Sequence, residues 1–566
     1  MLALAACAAC LGLSFVVPAG ARAAEQPAAT QPGSGIPAWA YGSSVHRPGF
    51  HLSPRQAIDV AKSSIRVEQK LAKLPGLVPV ALPDGKGDWD VYFIRGTSEP
   101  LLAVVTDRTG RLSQVWTGWQ VKWEMARGYP GAFGKIINAW FVWIPLCLLF
   151  LLPFFDPREP FRLLHLDLMM LLAFSISQYF FNRGQITVSV PLVYPVLLYL
   201  GARALFAGFR PSRPRSRLVP IVPVRFLFAG LIALVVIGVV LNVVDSNVVD
   251  VGDAGVLGAR DILHGHGLYT GLLGSQLTGG DTYGPVNYLA YIPFVGLLPS
   301  AHGGLDAAHG AAIAFNLLTL AGLLLLGRRW RHGRAGTELG VAMAFAWASY
   351  PYTLLVMNSN MNDALVAALL VWTLIAVSSP VKRGIGLSLA TLAKLFPLAL
   401  VPLFATGCGP RTKRSWVRFA VAFGVTSLVF VVPFIPPGGL HALYSHTIGN
   451  QLGRQSPFSV WGQHTILKPV QYLLEACTLA LGLAVGFRPR TRTPMQVAAL
   501  AAALLILFEI TLTHWFYSYI LWFAPLLIAA LFSEAATGAR QQEDAGIEAV
   551  PTLAPVEPEP ALALPS

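Results

Sequence analysis

Charge is scarce in this sequence: Asp, Glu, Lys and Arg make up only 12% of its 566 residues, against 54% hydrophobic ones. So little polar surface cannot solvate a water-soluble fold of that length, which leaves lipid as the main solvent. Cysteine is equally sparse. Of the five, Cys7 and Cys10 fall in an apolar leader and Cys147, Cys408 and Cys477 in or beside apolar spans, so neither a disulfide framework nor redox chemistry is indicated. Acidic residues are outnumbered 28 to 41 by basic ones. The basic residues sit in short runs between apolar stretches, the habit of cytoplasmic loops, and this argues against nucleic acid as the partner. No nucleotide-binding glycine loop is present either.

Residues 1–23 are apolar and end in Pro18, Gly20 and the small-x-small triplet Ala21, Arg22, Ala23, which reads as a signal peptide. An uncleaved anchor is the alternative, and in both cases the adjoining segment is exported. A Pro, Gly and Ala-rich linker occupies 24–49, and 50–130 is the one stretch that reads as an aqueous domain. Ser53 and Pro54 open a helix with Ala57, Ile58, Ala61 and Ile65 on one face. Strands are predicted at Trp89–Arg95, Leu101–Thr106 and Leu112–Thr117, the last two joined by a turn at Asp107, Arg108, Thr109 and Gly110. This order, with the run VVTDRTGRLSQVWTG, resembles a PepSY-type domain, a small extracytoplasmic module linked to inhibition or ligand binding.

From Lys135 onward, spans of roughly 20 apolar residues can be checked against the rule that basic loops stay inside. Full crossings are predicted at 136–155, 166–182, 188–207, 226–244, 309–327, 337–357, 364–379, 416–434, 467–487, 495–512 and 516–532, about eleven in all. They place Arg158 with Arg162, the run Arg210, Arg213, Arg215, Arg217, the cluster Arg328, Arg329, Arg331, Arg334, the pair Lys382 and Arg383, and Lys413 with Arg414 on the cytoplasmic side. Parity holds only if two runs do not cross. Pro285–Pro299 is too short and bounded by prolines, and 384–406 is interrupted at Lys394, Leu395, Phe396 and Pro397, so both read as re-entrant or partial. The tail 534–566 is acidic and Pro-rich and reads as a disordered cytoplasmic segment. The predicted class is an all-α polytopic membrane protein, with a small α+β extracytoplasmic domain at its N-terminus, N-terminal transmembrane helices over 135–225 and a transmembrane core over 226–533.

This topology gathers polar residues on the outer rim. Asp245, Asp250, Asp253, Asp261, His264, His266, Asp281 and Tyr283 lie in a first loop, Asn358 to Asp363 in a second, His441 to Trp461 in a third and His514 to Tyr519 in a fourth. Ionisable groups at membrane depth usually mark a site. The acidic loop DVGDAGVLGARDILHGHGLY, with DTYGPVNYLAYIPF after it, resembles the GT-C superfamily of membrane glycosyltransferases. NSNMNDALVAALLVW, LAKLFPLALVPLF, IGNQLGRQSPFSVW and THWFYSYILWFAPL extend the resemblance over residues 226–532, toward a mannosyltransferase-like branch. It implies a polyprenyl-phosphate sugar donor, commonly mannose, and an Asp of the first outer loop as catalytic base.

Asp250 and Asp253 are three apart, on one face of any helix they share, and either suits general-base work. Asp253 equally suits the N-cap of a helix over 254–263. A departing lipid phosphate needs a cationic clamp, for which Arg454 and Lys394 are candidates; Lys394, inside an apolar run, needs a partner unless it snorkels to an interface. Tyr269, Asp281, Tyr283, Asn362, Asp363 and His514 are candidate substrate contacts, with interface packing or helix capping as their structural alternatives. His264 and His266, spaced i, i+2 across Gly265, do not form a helical ligand pair, so no metal site is assigned; no cofactor is assigned, and a divalent cation is left open. The expected activity is inverting transfer of a sugar from polyprenyl phosphate to an envelope glycolipid, polysaccharide or protein. A transporter or flippase of lipid-linked sugars and a non-catalytic sensor are the alternatives. A fragment beginning near Gly134 is expected to keep the core activity.

Overall fold

The computed structural model of the protein describes residues 36–548 apart from 85–86, 97, 129–133, 211–221, 274–276, 279–280, 299–304, 409–411 and 455. The predicted signal peptide, the first part of the linker (24–35), Arg213, Arg215 and Arg217, and the end of the tail lie outside the described residues.

The N-terminal unit begins with α1 (Pro54–Lys62), which starts where the sequence predicts. Ser53 Oγ accepts from the Gln56 amide at 3.3 Å and Gln56 Oε1 accepts from the Ser53 amide at 2.8 Å, a reciprocal capping box with proline in the first turn. Four antiparallel strands come next in sequential order, β1 (Val78–Pro83), β2 (Trp89–Arg95), β3 (Ser98–Thr106) and β4 (Arg111–Thr117). The strand β1 goes unrecognised in the sequence because its two prolines demote it, yet it sits at the sheet edge, where proline is tolerated. Ala57, Ile58 and Ala61 pack on Trp89, Val91, Leu101 and Ala103 to make its core. Asp107 ties sheet to entry loop: it accepts from the His51 and Leu52 amides at 2.7 and 2.9 Å and from the Trp89 indole at 3.0 Å. Burial opposes ionisation there, but these donors and the His51 ring outweigh it and hold the carboxyl below its ordinary value.

The rest of the protein is a multi-pass helical bundle. Among the described residues eight helices are long and apolar enough to cross a membrane, and nine if the bent pair Gly333–Ser349 and Pro351–Asn358 is one span. The predicted eleven are these nine together with Trp140–Phe154 and Asp363–Ile375, which are apolar but shorter than a full span. The 57° bend has a local cause: Tyr350, preceding Pro351, is extended at φ −67° and ψ 121°, as the proline ring demands of its neighbour. The Pro285 run forms two short helices, Pro285–Leu289 and Ile292–Leu297. The helix Pro380–Ala393 ends at Lys394, before the short pieces Phe396–Leu400 and Val401–Thr406.

Pro494–Thr511 and the span opening at Tyr517 are 78% and 94% buried, whereas Lys413–Phe434 is 6% buried and therefore faces lipid. The last helix, Ile520–Glu548, runs past Glu534, where the sequence predicts a disordered tail. Glu534 is buried, and its Oε2 accepts from Arg203 Nη2 at 2.6 Å, while Arg203 Nε donates to Asp167 at 3.0 Å. A buried cation held between two carboxylates fixes this end of the bundle.

Candidate functional site

The loops predicted to share a rim converge, together with residues 122–125 of the N-terminal unit, around one cavity of about 650 Å³. Asp250, Tyr269, Tyr283, Asp363, Lys394, Arg454 and His514 all line it. Asp253, Asp281 and Asn362 do not.

Asp250 opens α2 (Asp250–Leu263), whose N-cap is Val249. The expected N-cap role of Asp253 is thereby corrected: the helix starts three residues earlier, and Asp253 lies in its first turn. The earlier start is imposed by partners far away in the chain. The Asn247 and Val249 amides donate to the carbonyls of Asn358 and Ser359, both at 3.2 Å. Asn360 Nδ2 donates to the Asn247 carbonyl at 3.0 Å, and Asn358 Nδ2 to the Asp245 carbonyl at 2.8 Å. The run NSNMND thus acts as a polar clamp on the approach to Asp250, and Asn360 adopts φ 52° to make it, a left-handed strain characteristic of functional loops.

The glycines of α2 are its contact face. A β-carbon on Gly252 would lie 2.2 Å from the Asn360 carbonyl oxygen, and on Gly255 and Gly258 within 2.6 and 2.3 Å of the Tyr291 and Tyr288 rings. Gly252→Ala is therefore expected to push Asn360 and the head of α2 apart, at a cost of about 1–3 kcal/mol, and to lower activity through Asp250. Thermal unfolding and turnover of the same purified variant check both parts.

Across the cavity, Lys394 has the partner its sequence position requires. Its Nζ donates to Asp363 Oδ1 at 2.5 Å, with the lysine 8% and the carboxylate 1% exposed. The same oxygen accepts from the Trp522 indole at 2.8 Å. Lys394 Nζ lies 5.3 to 5.7 Å from the ring centres of Trp522, Tyr283 and Tyr519, a cage that favours a cation. Tyr519 and Trp522 stack at 4.1 Å. Gly284 presses on the break before Lys394, since a β-carbon there would be 2.0 Å from the Leu392 carbonyl oxygen. With its charge matched by Asp363, Lys394 offers an anion less than a free cation would.

Arg454 has the opposite character. Among the described residues its Nε is buried without a hydrogen-bond partner, and its guanidinium carbon lies 5.6 Å from the Trp123 ring centre. His514, beside it, hydrogen-bonds Ser456 Oγ through Nδ1 at 2.8 Å. Burial, then the charges of Arg454 and Lys394, drive its pKa well below 6.5. It is accordingly neutral at physiological pH. The pH dependence of turnover should show no break near 6.5 on the acid side; a break there that disappears in His514→Gln would contradict this.

The other predicted residues form the walls or lie behind them. Tyr269, at φ 63°, donates from its hydroxyl to the Tyr283 carbonyl at 2.8 Å. Asp281 is buried, accepts from the Gly271 amide at 2.8 Å and sits 3.2 Å from His446 Nδ1, fastening the end of the first loop. Asn362 donates to Asn287 Oδ1 at 2.9 Å, a link between helices. His264 meets the Arg260 carbonyl at 2.8 Å and His266 lies 3.5 Å from Asp261. Among the described residues no three His, Cys, Asp or Glu side chains converge as metal ligands would. Several cavity residues were not among the site candidates read from the sequence, Tyr519, Trp522 and Trp123 among them. Tyr519 and Trp522 are one helical turn apart in YSYILW, a spacing that could have marked a shared face, but Trp123 carried no such signal.

Residues 282–533 match the model of glycosyltransferase family 87. Over this stretch the chain is similar to the membrane glycosyltransferases of family 87. The family is of GT-C type, in keeping with the resemblance found in the sequence, and it implies a sugar donor and an acceptor. The matched residues supply Tyr283, Asp363, Lys394, Arg454, His514, Tyr519 and Trp522 to the cavity, while Asp250, Tyr269 and Trp123 come from before them. No curated protein matches the chain.

Proposed function

We propose that the protein transfers mannose from a polyprenyl phosphate to a hydroxyl of an envelope glycolipid, polysaccharide or protein, on the extracytoplasmic face, with inversion. The observation that carries this reading is a single cavity lined by an exposed carboxylate, Asp250, and by the Arg454 guanidinium, whose Nε has no hydrogen-bond partner among the described residues. The acceptor O–H gives its proton to Asp250 as its oxygen bonds to the anomeric carbon. The bond from that carbon to phosphate oxygen breaks, and polyprenyl phosphate leaves with the electron pair, its charge met by Arg454. Displacement from the face opposite the leaving group inverts the centre.

Aromatic rings at Tyr269, Tyr283, Tyr519 and Trp522 give a sugar apolar faces to stack on. Lys394, matched by Asp363, holds the cavity wall rather than the phosphate. The basic loops near Arg328 and Lys413 support a cytoplasmic position for the end of the bundle away from the cavity. Purified protein in lipid, given polyprenyl-phosphate mannose and envelope extract, is expected to release polyprenyl phosphate and mannosylate one acceptor class. Mass spectrometry of envelope glycans after deletion identifies that acceptor and linkage together. Unchanged glycans together with no turnover would reject the proposal.

A further inference from the structure

Lys122, Trp123, Glu124 and Met125 connect the N-terminal sheet unit to the bundle and also line the cavity. They lie outside the residues matched to family 87. We propose that Trp123 is a positioning residue that holds Arg454 ready for the leaving phosphate, so that the site is incomplete without the N-terminal unit. This rests on the reading of Arg454 given above.

Four observations support it. The Trp123 ring lies 5.6 Å from the Arg454 guanidinium carbon, within reach of a cation–π contact. It packs edge-on against Phe458 at 5.5 Å and lies 5.8 Å from the His514 ring, touching the Arg454 loop and the loop before the last span together. Arg454 Nε is buried and, among the described residues, without a hydrogen-bond partner, which leaves the Trp123 ring as a contact able to restrain it. Finally, the connecting segment is pinned at both ends. Gln120 Nε2 donates to the carbonyls of Ala126 and Gly184 at 3.2 and 3.3 Å, and Arg127 Nε donates to the Gln120 carbonyl at 3.0 Å. Gly128 presses so closely on the next helix hairpin that a β-carbon would lie 2.1 Å from the Phe181 carbonyl oxygen.

A flexible arginine clamps a developing charge well only if its rotamer is fixed beforehand, because ordering it during the reaction subtracts from the stabilisation it gives. A ring within cation–π reach of the guanidinium supplies that order without competing for its N–H donors. The expectation that a fragment from Gly134 keeps the core activity is therefore reversed: it lacks both the wall and the ring.

The test uses the full chain in lipid nanodiscs with polyprenyl-phosphate mannose as donor and polyprenyl phosphate as competing product. Trp123→Ala and Trp123→Leu are each expected to raise the donor KM and the inhibition constant of polyprenyl phosphate about tenfold, with kcat changed less and the thermal midpoint held. Trp123→Phe should return both constants to within about threefold of the natural protein. Arg454→Ala introduced into Trp123→Leu should add much less than it costs alone, because the two act as a unit. Unchanged constants in Trp123→Leu, or fully additive effects with Arg454→Ala, would overturn the proposal. An inactive Asp250→Asn beside an indifferent Trp123→Leu removes only this inference, whereas a fully active Asp250→Asn removes the reading beneath it.

Discussion

Asp250→Asn is expected to lower sugar transfer by about 10²- to 10⁴-fold, the usual contribution of a positioned general base, while Asp253→Asn stays within about threefold of the natural protein. The two carboxylates share the first turn of one helix, yet their surroundings differ. Asp250 is exposed to the cavity, and its Oδ1 accepts from the Val251 amide at 2.9 Å. Asp253 is half-buried away from the cavity; burial raises its pKa, Asp250 raises it further and Arg260 partly opposes both. A base must reach the acceptor proton, and only Asp250 is on the surface where an acceptor can sit. The asparagine preserves the size of the side chain and removes its charge from the helix N-terminus, a loss of about 0.3–1 kcal/mol, so the fold should survive. Radiolabelled donor turnover and a thermal unfolding curve, run on the same preparations, separate chemistry from folding. Equal activity of the two variants, or greater loss in Asp253→Asn, would refute the assignment.

The range of each interaction decided whether it was legible in the sequence. Ser53, Pro54 and Gln56 are close neighbours in the chain, and the start of α1 was readable from them. Lys394 in an apolar run announces by its cost alone that something must pair with it, although it does not say what; Asp363 supplies the answer from 31 residues away. The convergence of the loops was legible as a charge pattern. By contrast, the start of α2 depends on backbone bonds from Asn247 and Val249 to Asn358 and Ser359, which no local rule anticipates, so the role of Asp253 was misread. Counting apolar residues gave two more crossings than helix length supports, because composition does not register where Trp140–Phe154 and Asp363–Ile375 stop. Trp123 was invisible for the same reason as the α2 start: its partners, Arg454, Phe458 and His514, are hundreds of residues distant and join it only when the bundle closes.

Removing one half of the Lys394–Asp363 pair is expected to have the largest effect on stability. Asp363→Ala leaves a lysine only 8% exposed without its counter-charge and also takes the acceptor from the Trp522 indole. Breaking a buried pair in this way costs about 3–5 kcal/mol. The protein should therefore lose its folded detergent-solubilised form at a markedly lower temperature, and activity with it. Lys394→Met is expected to be as harmful, because it leaves Asp363, 1% exposed, without its counter-charge and with the Trp522 indole as its remaining hydrogen-bond donor. The double variant Lys394→Met with Asp363→Leu decides between a structural and a chemical role. An apolar pair of similar volume is often as stable as the ion pair it replaces, so the thermal midpoint should recover to within about 1 kcal/mol of the natural protein. If Lys394 only braces the wall around Tyr283, Tyr519 and Trp522, transfer activity returns with the fold. Recovery of the fold with turnover still absent would instead assign the lysine to the departing phosphate, at the expense of Arg454 as the principal clamp.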